Sequence, residues 1–304
     1  MDNISKNNTA VILVNYNGLT DSIDCIESIC KTDNAANLKI VLVDNASKVN
    51  EADIIKEKYP DIQTIRSEVN GGFSYGNNLG IRWALDNGYK YITLLNNDTV
   101  VAPDMFIKLE KYCDEKSVAA PKMYYYSQPN VIWYGGGEIN KKTGNAEHTH
   151  MNCEDTFDEE KMLSKGIRKC TFVTGCCVMV KAETFRKVGL LEEDYFMYCE
   201  DTDFCIRLQQ AGIYITYVPA ARLWHKISAS TGGSGSPFST YYMTRNRLRY
   251  IKKHEVYFDK GAYTFSFASR VVRMLQSSDK NVKRAFKDGI SDHLKGIMGR
   301  NEKY

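Results

Sequence analysis

Along the first hundred residues, short continuous apolar runs alternate with stretches whose apolar residues return every three or four positions. Residues 10–15 (AVILVN) and 39–44 (KIVLVD) are the kind of run expected of parallel strands buried on both faces. Between them, residues 20–30 set Ile23, Ile26 and Ile29 at helical spacing. The alternation continues with a helix over 51–59 that stops before Pro60 and a strand over 61–66. A helix over 78–87 turns Leu79, Trp83 and Ala84 inward and is closed by Gly88. A strand over 91–95 follows, then a helix opened by Pro103 that carries Phe106, Leu109 and Tyr112. Repeated β-α units predict a parallel sheet covered by helices on both faces.

The second half is more mixed. Residues 131–139 and 170–180 read as strands, divided by a polar stretch over 140–164. A helix over 201–210 stops at Gly212, and short strands follow at 213–218 and 222–224. Residues 230–237 (STGGSGSP) are a Gly/Ser-rich loop, and the segments beyond are helical and basic.

Composition changes this picture in one respect. The chain of 304 residues is 43% hydrophobic and 25% charged, enough for a sizeable core without disulfides. The net charge of +3 gives no reason to invoke nucleic acid, but it is unevenly spread. Residues 241–304 hold 15 Lys/Arg against 6 Asp/Glu, leaving 25 and 31 in residues 1–240. A basic tail on an acidic body suits an anionic membrane face, and a solvated helical tail explains it equally well. The nine cysteines are scattered, without zinc-ligand spacing, and read as reduced, mostly buried thiols of a cytoplasmic protein. No apolar run approaches the length of a spanning helix, and the polar N-terminus lacks a signal-peptide core.

The candidate chemistry sits where strands end. In an open parallel sheet, ligands bind at the carboxyl edge. Three strands end there in polar residues: Asn15-Tyr16-Asn17-Gly18, Asp44-Asn45-Ala46-Ser47 and Asn96-Asn97-Asp98-Thr99. Together they make a crescent suited to a nucleoside and its phosphates. Asn96 and Asp98, two apart, offer oxygen ligands to a hard cation such as Mg²⁺ or Mn²⁺, although an Asx turn would explain them as well. Asn70-Gly71-Gly72 through Asn78 precedes a helix and admits an anion, or is simply a tight turn. Glu200, Asp201 and Asp203 open the 201–210 helix, where one carboxylate suffices as a cap and a second is free to act as a general base. His225 is either a packed core histidine or a metal ligand.

Taken in order, VILVNYNG, IVLVDNAS, VNGGFSYGNNLGI, LLNNDT, FVTGCCVMVKAETFRKVGLLEEDYFMYCEDTDFCIRL and LWHKISAS resemble an inverting family 2 glycosyltransferase of the GT-A fold. The match spans roughly residues 10–250, and YYMTRNRLR with the basic tail resembles the rhamnosyltransferase-like subgroup. The resemblance implies an α/β fold with a mixed, mostly parallel sheet flanked by helices. It implies a catalytic domain over 1–240, with a donor half to about 100, and a helical extension over 241–304. By position it implies that Asp44 contacts the base or ribose and that Asn96-Asn97-Asp98 stands for the Asp-x-Asp metal motif. It makes Asp201 the base, with Glu200 and Asp203 supporting it, and His225 a further metal ligand. Asn96 departs from the acidic residue of many relatives, which removes one negative charge from the metal site. The partners implied are a UDP- or dTDP-sugar donor and a glycan or lipid-linked acceptor; separately, the glycine content and position of residues 230–237 suggest a lid that closes over the donor. Two rivals are an inactive scaffold that binds a membrane or partner through its tail and a sugar nucleotidyltransferase. The loop NYNGLTDS, without a basic residue for a triphosphate, disfavours the nucleotidyltransferase.

Overall fold

The computed structural model describes residues 8–158, 161, 165–227, 233 and 235–304. The first half follows the expected alternation: strand β1 (Thr9–Asn15), helix α1 (Leu19–Cys30), β2 (Leu38–Asp44), α2 (Glu51–Lys58), β3 (Gln63–Arg66), α3 (Gly72–Asp86) and β4 (Tyr91–Asn96). Then come β5 (Thr99–Val101), α4 (Met105–Glu110), β6 (Ser117–Tyr125), β7 (Ile132–Tyr134), β8 (Gly137–Ile139), β9 (Ala146–His148), β10 (Arg168–Cys170) and β11 (Cys177–Lys181). Helices α5 (Ala182–Val188) and α6 (Glu200–Gln210), strand β12 (Tyr214–His225), and helices α7 (Pro237–Lys253), α8 (Ala262–Gln276) and α9 (Lys280–Lys295) complete the chain.

Ten strands form one sheet whose main path runs β10-β12-β6-β11-β4-β1-β2-β3, while β8 and β9 form a separate hairpin. Strands β4, β1, β2 and β3 are mutually parallel. β11 runs against both β4 and β6, and β12 is parallel to β6. Ala10, Val11, Ile12 and Leu13 of β1 are all 0% exposed, because helices cover both faces of this central strand.

Several expectations need correction. Helix α3 begins at Gly72, six residues before the predicted start. Its glycines belong to a packed helix: a Cβ on Gly76 would lie 2.7 Å from Val14 Cγ1, and one on Gly80 would strike Ile12. They let α3 lie close on β1, a packing that side-chain periodicity does not reveal. The predicted strand 131–139 is two strands, and 170–180 holds only the end of β10 and the start of β11. The strands at 213–218 and 222–224 are one strand, β12, with an irregularity between Val218 and Arg222. Strand β6 went unpredicted because Pro121 sits in its middle. Pro121 pairs with Val218 and Lys122 with Arg222, so the bulge in β12 falls where β6 has no N–H to give. The helix opened at Pro103 ends at Glu110, leaving Tyr112 outside it.

Candidate active site

The register puts the polar strand ends side by side: Asn15 pairs with Asp44, and Asn96 follows on β4 beside Val14. Their side chains are then largely spent on one another. Asn15 donates from Nδ2 to Glu51 Oε2 at 2.6 Å and accepts at Oδ1 from Ser22 Oγ at 2.9 Å and Asn97 Nδ2 at 3.3 Å. Asn97 also donates to Ser22 Oγ at 2.8 Å. Asn17, held at φ 53°, accepts from Lys48 N at 2.9 Å. Asp44 is fully buried; Oδ1 accepts from Ser47 N at 3.0 Å, and Oδ2 accepts from Glu51 N at 2.9 Å and Ala52 N at 3.3 Å. Arg66, at the end of β3, closes an ion pair on the same carboxylate and donates to Ser47 O at 2.7 Å. Arg66 was not singled out in the sequence. Its position at the end of a strand of this edge was the available signal.

Asn45 donates to Gly72 O at 3.0 Å and Asn70 Oδ1 at 3.1 Å, and accepts from Gly71 N, joining the second and third polar segments. Asn78 has a different task. Its amide donates to Leu191 O and Glu193 Oε1, each at 2.8 Å, and fixes the chain before α6.

Asp98 and His225 meet although 127 residues separate them: His225 Nε2 lies 3.0 Å from Asp98 Oδ1. The sheet makes this contact, since β5 begins one residue after Asp98 and pairs Thr99 with His225 at the end of β12. The His225 ring packs at 4.5 Å from that of Trp133, and its Nδ1 is buried without a hydrogen-bond partner. A carboxylate oxygen and an imidazole facing each other suit a divalent cation. Among the described residues no third His, Cys, Asp or Glu joins them. Were an ion held there, its remaining positions would be open to phosphate oxygens and water. Asn96 stands two residues before Asp98, its N–H donating to Cys176 O at 2.8 Å.

The three acids at the start of α6 have three different environments. Asp203 is fully buried and receives Arg207 Nε at 2.7 Å, His254 Nε2 at 2.8 Å, Lys253 Nζ at 2.9 Å and Tyr195 OH at 3.2 Å. Burial would raise this carboxyl, but His254, Arg207 and Lys253 outweigh it and hold it well below the usual range. Its role in the fold is to tie α6 to the end of α7. Glu200 is 5% exposed, with Oε2 buried and unpartnered. Burial, then the neighbouring Asp201 charge, push it well above the usual carboxylate range. Asp201 accepts from Gly175 N at 3.2 Å and Thr202 N at 2.7 Å, and burial raises it too. Thr202 Oγ1 also donates to Oδ1 at 3.3 Å, and a partly exposed carboxylate with a raised pKa can take a proton from a bound hydroxyl at Oδ2.

The turn that delivers these acids is strained. Phe196, Tyr198 and Cys199 have φ of 64°, 66° and 74°, a region such residues rarely visit and one that costs on the order of 1–3 kcal/mol each. Two residues of α7, both fully buried, hold it. Asn246 Nδ2 reaches the carbonyls of Tyr195 at 3.0 Å, Met197 at 2.8 Å and Tyr198 at 2.9 Å. Arg245 donates to Tyr195 O at 3.0 Å and to Gly299 O at 2.7 Å. From α3, Phe73 N donates to Phe196 O at 2.8 Å, and Gly72, at φ 89°, leaves the space that a Cβ would take from Phe196. These supports were missed in the sequence, where Arg245 and Asn246 are two polar residues in a basic helix. The proposed lid, 230–237, lies largely outside the described residues.

Comparison with known proteins identifies relatives of this chain. The profile described as "Glycosyl transferase family 2" matches residues 10–189. The chain is similar to the dTDP-rhamnosyl transferase RfbF of Shigella flexneri, 25% identical over 313 residues and 97% of each chain. It is also similar to the rhamnosyltransferase WbbL of Escherichia coli K12, 25% identical over 72% of this chain and 83% of that one. An N-acetylglucosaminyl-diphospho-decaprenol L-rhamnosyltransferase of Mycobacterium tuberculosis is 38% identical over 77 residues, 25% of each chain. In fold it resembles GalNAc-T7, solved with UDP, GalNAc and Mn²⁺, at TM-score 0.66 and 18% identity over 97% of this chain and 57% of that one.

Proposed function

Because the chain belongs to glycosyl transferase family 2, we propose that it transfers rhamnose from dTDP-rhamnose, with inversion, to a hydroxyl of a glycan or lipid-linked acceptor in cell-surface polysaccharide synthesis. The observation that carries this reading is the meeting of Asp98 with His225 at the strand-end edge, on the same molecule as the Asp201 carboxylate. The relatives named for rhamnosyl transfer, one of them along nearly the whole chain, support the sugar.

Asp98 and His225 would hold Mg²⁺ or Mn²⁺, with Asn96 beside them, and the ion when bound supplies Lewis-acid stabilisation of the departing diphosphate. Asn15, Asn17, Asp44, Asn45, Asn70, Gly71 and Asn97 shape the nucleotide edge, with Arg66 as the charged group at its rim. Asp201 accepts the proton of the acceptor hydroxyl as that oxygen attacks the anomeric carbon from the face opposite the leaving group. The new glycosidic bond forms as the bond to the diphosphate oxygen breaks, and the configuration inverts. Burial and the Asp201 charge disfavour ionisation of Glu200 beside the base. The extension docks peripherally on an anionic membrane face: α8 exposes Phe265 at 56% and Leu275 at 64% near Arg273. No helix among the described residues is long and apolar enough to cross a membrane.

Calorimetric titration of dTDP, UDP, GDP and CDP with and without Mn²⁺ tests the donor assignment. dTDP should bind in a metal-dependent way, and Asp98→Ala should weaken it at least tenfold. Metal-independent binding, or preference for another base, would sink this donor and metal assignment.

A further inference from the structure

The C-terminal helices bury positive charge that the described residues leave unanswered. Arg270 of α8 is 6% exposed, and its Nε is buried without a partner. The charged groups that act on it most are other guanidinium groups: Arg247 of α7 and Arg273, one turn along α8. Arg247 donates from Nη1 to Asn145 Oδ1, and its own Nε is also buried and unpaired. Burial, then the charges of Arg247 and Arg273, pull Arg270 down to about 9. A buried cation without a counter-charge is costly, and like charges beside it add to the cost.

These arginines lie by the turn that leads into the candidate base: Asn246, next to Arg247 on α7, donates to Tyr198 O at 2.9 Å, three residues before Asp201. Cys199, the residue before Glu200, is within electrostatic reach of Arg247, Arg270, Asp201 and Glu200. Tyr250 of α7 likewise feels Arg247, Arg270, Cys199 and Asp201, and its hydroxyl donates to Gly144 O in the turn that also carries Asn145. Two guanidinium groups, each with a buried, unpaired Nε, near the turn that carries the candidate base have the donor chemistry that a phosphate oxyanion accepts.

We propose that Arg247 and Arg270 bind a phosphate group of the acceptor, a sugar carried on a phosphate or diphosphate, and so bring its hydroxyl to Asp201. The inference rests on the reading of Asp201 as the base. The same chemistry would also suit the diphosphate of the donor, and the test separates the two sources.

Inorganic pyrophosphate in metal-free buffer is the probe, titrated by calorimetry into the wild-type chain, Arg270→Met, Arg247→Met and Asp98→Ala. Affinity should fall at least tenfold in each arginine variant and stay within twofold in Asp98→Ala. Equal binding in wild type and Arg270→Met, or no binding to wild type, overturns the site. Displacement of the bound pyrophosphate by saturating dTDP assigns the anion to the donor and overturns the acceptor assignment. Without anion, Arg270→Met should melt at or above the wild-type temperature, since it removes an unpaired buried charge. A large drop in melting temperature would mark Arg270 as a structural residue and overturn the proposal. Turnover by Asp201→Asn would defeat the base reading independently, while the pyrophosphate titration still reports on the arginines.

Discussion

The two halves of the candidate site handle polarity in opposite ways. At the donor edge, Asn15, Ser22, Ser47, Glu51 and Asn97 satisfy one another, and Asp44 is enclosed by donors. At the start of α6, Glu200 keeps an orphaned oxygen, Asp201 is raised by burial, and the preceding turn holds three residues at positive φ. A satisfied network builds a rigid cradle. An unsatisfied, strained one stores chemistry that the scaffold must hold by force. Asp203 marks the boundary: it is in the same helical turn as Asp201, yet its environment resembles the donor edge.

The sharpest way to break this comparison is Asp201→Asn. Loss of the base should lower kcat about 10³-fold, with dTDP affinity unchanged by calorimetry. In the wild type the acidic limb of kcat should lie above the ordinary aspartate value of about 4, because burial raises the carboxyl that must be ionised. Asp203→Asn tests the opposite character. It should cost about 2–3 kcal/mol of stability by denaturant melts at pH 7. The Asp203 carboxyl is lowered in the fold, so its contribution is present above about pH 4 and is lost as the pH falls toward the folded value. The stability gap between wild type and Asp203→Asn should therefore narrow in acid.

Asn246→Ser probes the clamp on the strained turn. We expect kcat to fall about 10–30-fold, equivalent to roughly 1.4–2 kcal/mol, with diphosphate binding within twofold. Adding Cys199→Gly, which adopts positive φ without cost, should recover part of the loss. A loss of binding and melting temperature in parallel would make Asn246 a general stabiliser instead. The smallest effect is expected from Glu200→Gln. Removing a buried ionisable carboxyl should raise stability at pH 7 by about 1 kcal/mol, and the gain should vanish below the ordinary glutamate value. A destabilised variant would mean that Glu200 is bound by groups outside the described residues.

Much of this was legible beforehand. Continuous apolar runs marked β1, β2 and β4, and the polar residues ending them were read as one edge because parallel strands in register must end together. Asp98, Asp201 and His225 stand out by position, and the resemblance gives them their roles; in isolation Asn96-Asn97-Asp98 favours a turn, His225 a core histidine, and one acid at the start of α6 suffices as a cap. Strand β6 was not legible, because Pro121 argues against a central strand unless its partner bulges opposite it. The early start of α3 was hidden by glycines whose purpose, close approach to Ile12 and Val14, exists only in the packed state.

The sequence by itself determined the alternation of strands and helices, the location of the polar edge and the basic bias of residues 241–304, because each depends on local pattern or composition. Only the tertiary structure decided what the polar groups do there. It set His225 against Asp98 across β5 and β12, spent Asp203 on α7, and left Asp201 available. It also made Asn246 a clamp and left Arg270 Nε buried without a hydrogen-bond partner among the described residues. The physical reason is that a hydrogen bond or a desolvated charge is a relation between groups far apart in the chain. Its partners are chosen by the sheet register and helix packing, which no local pattern encodes.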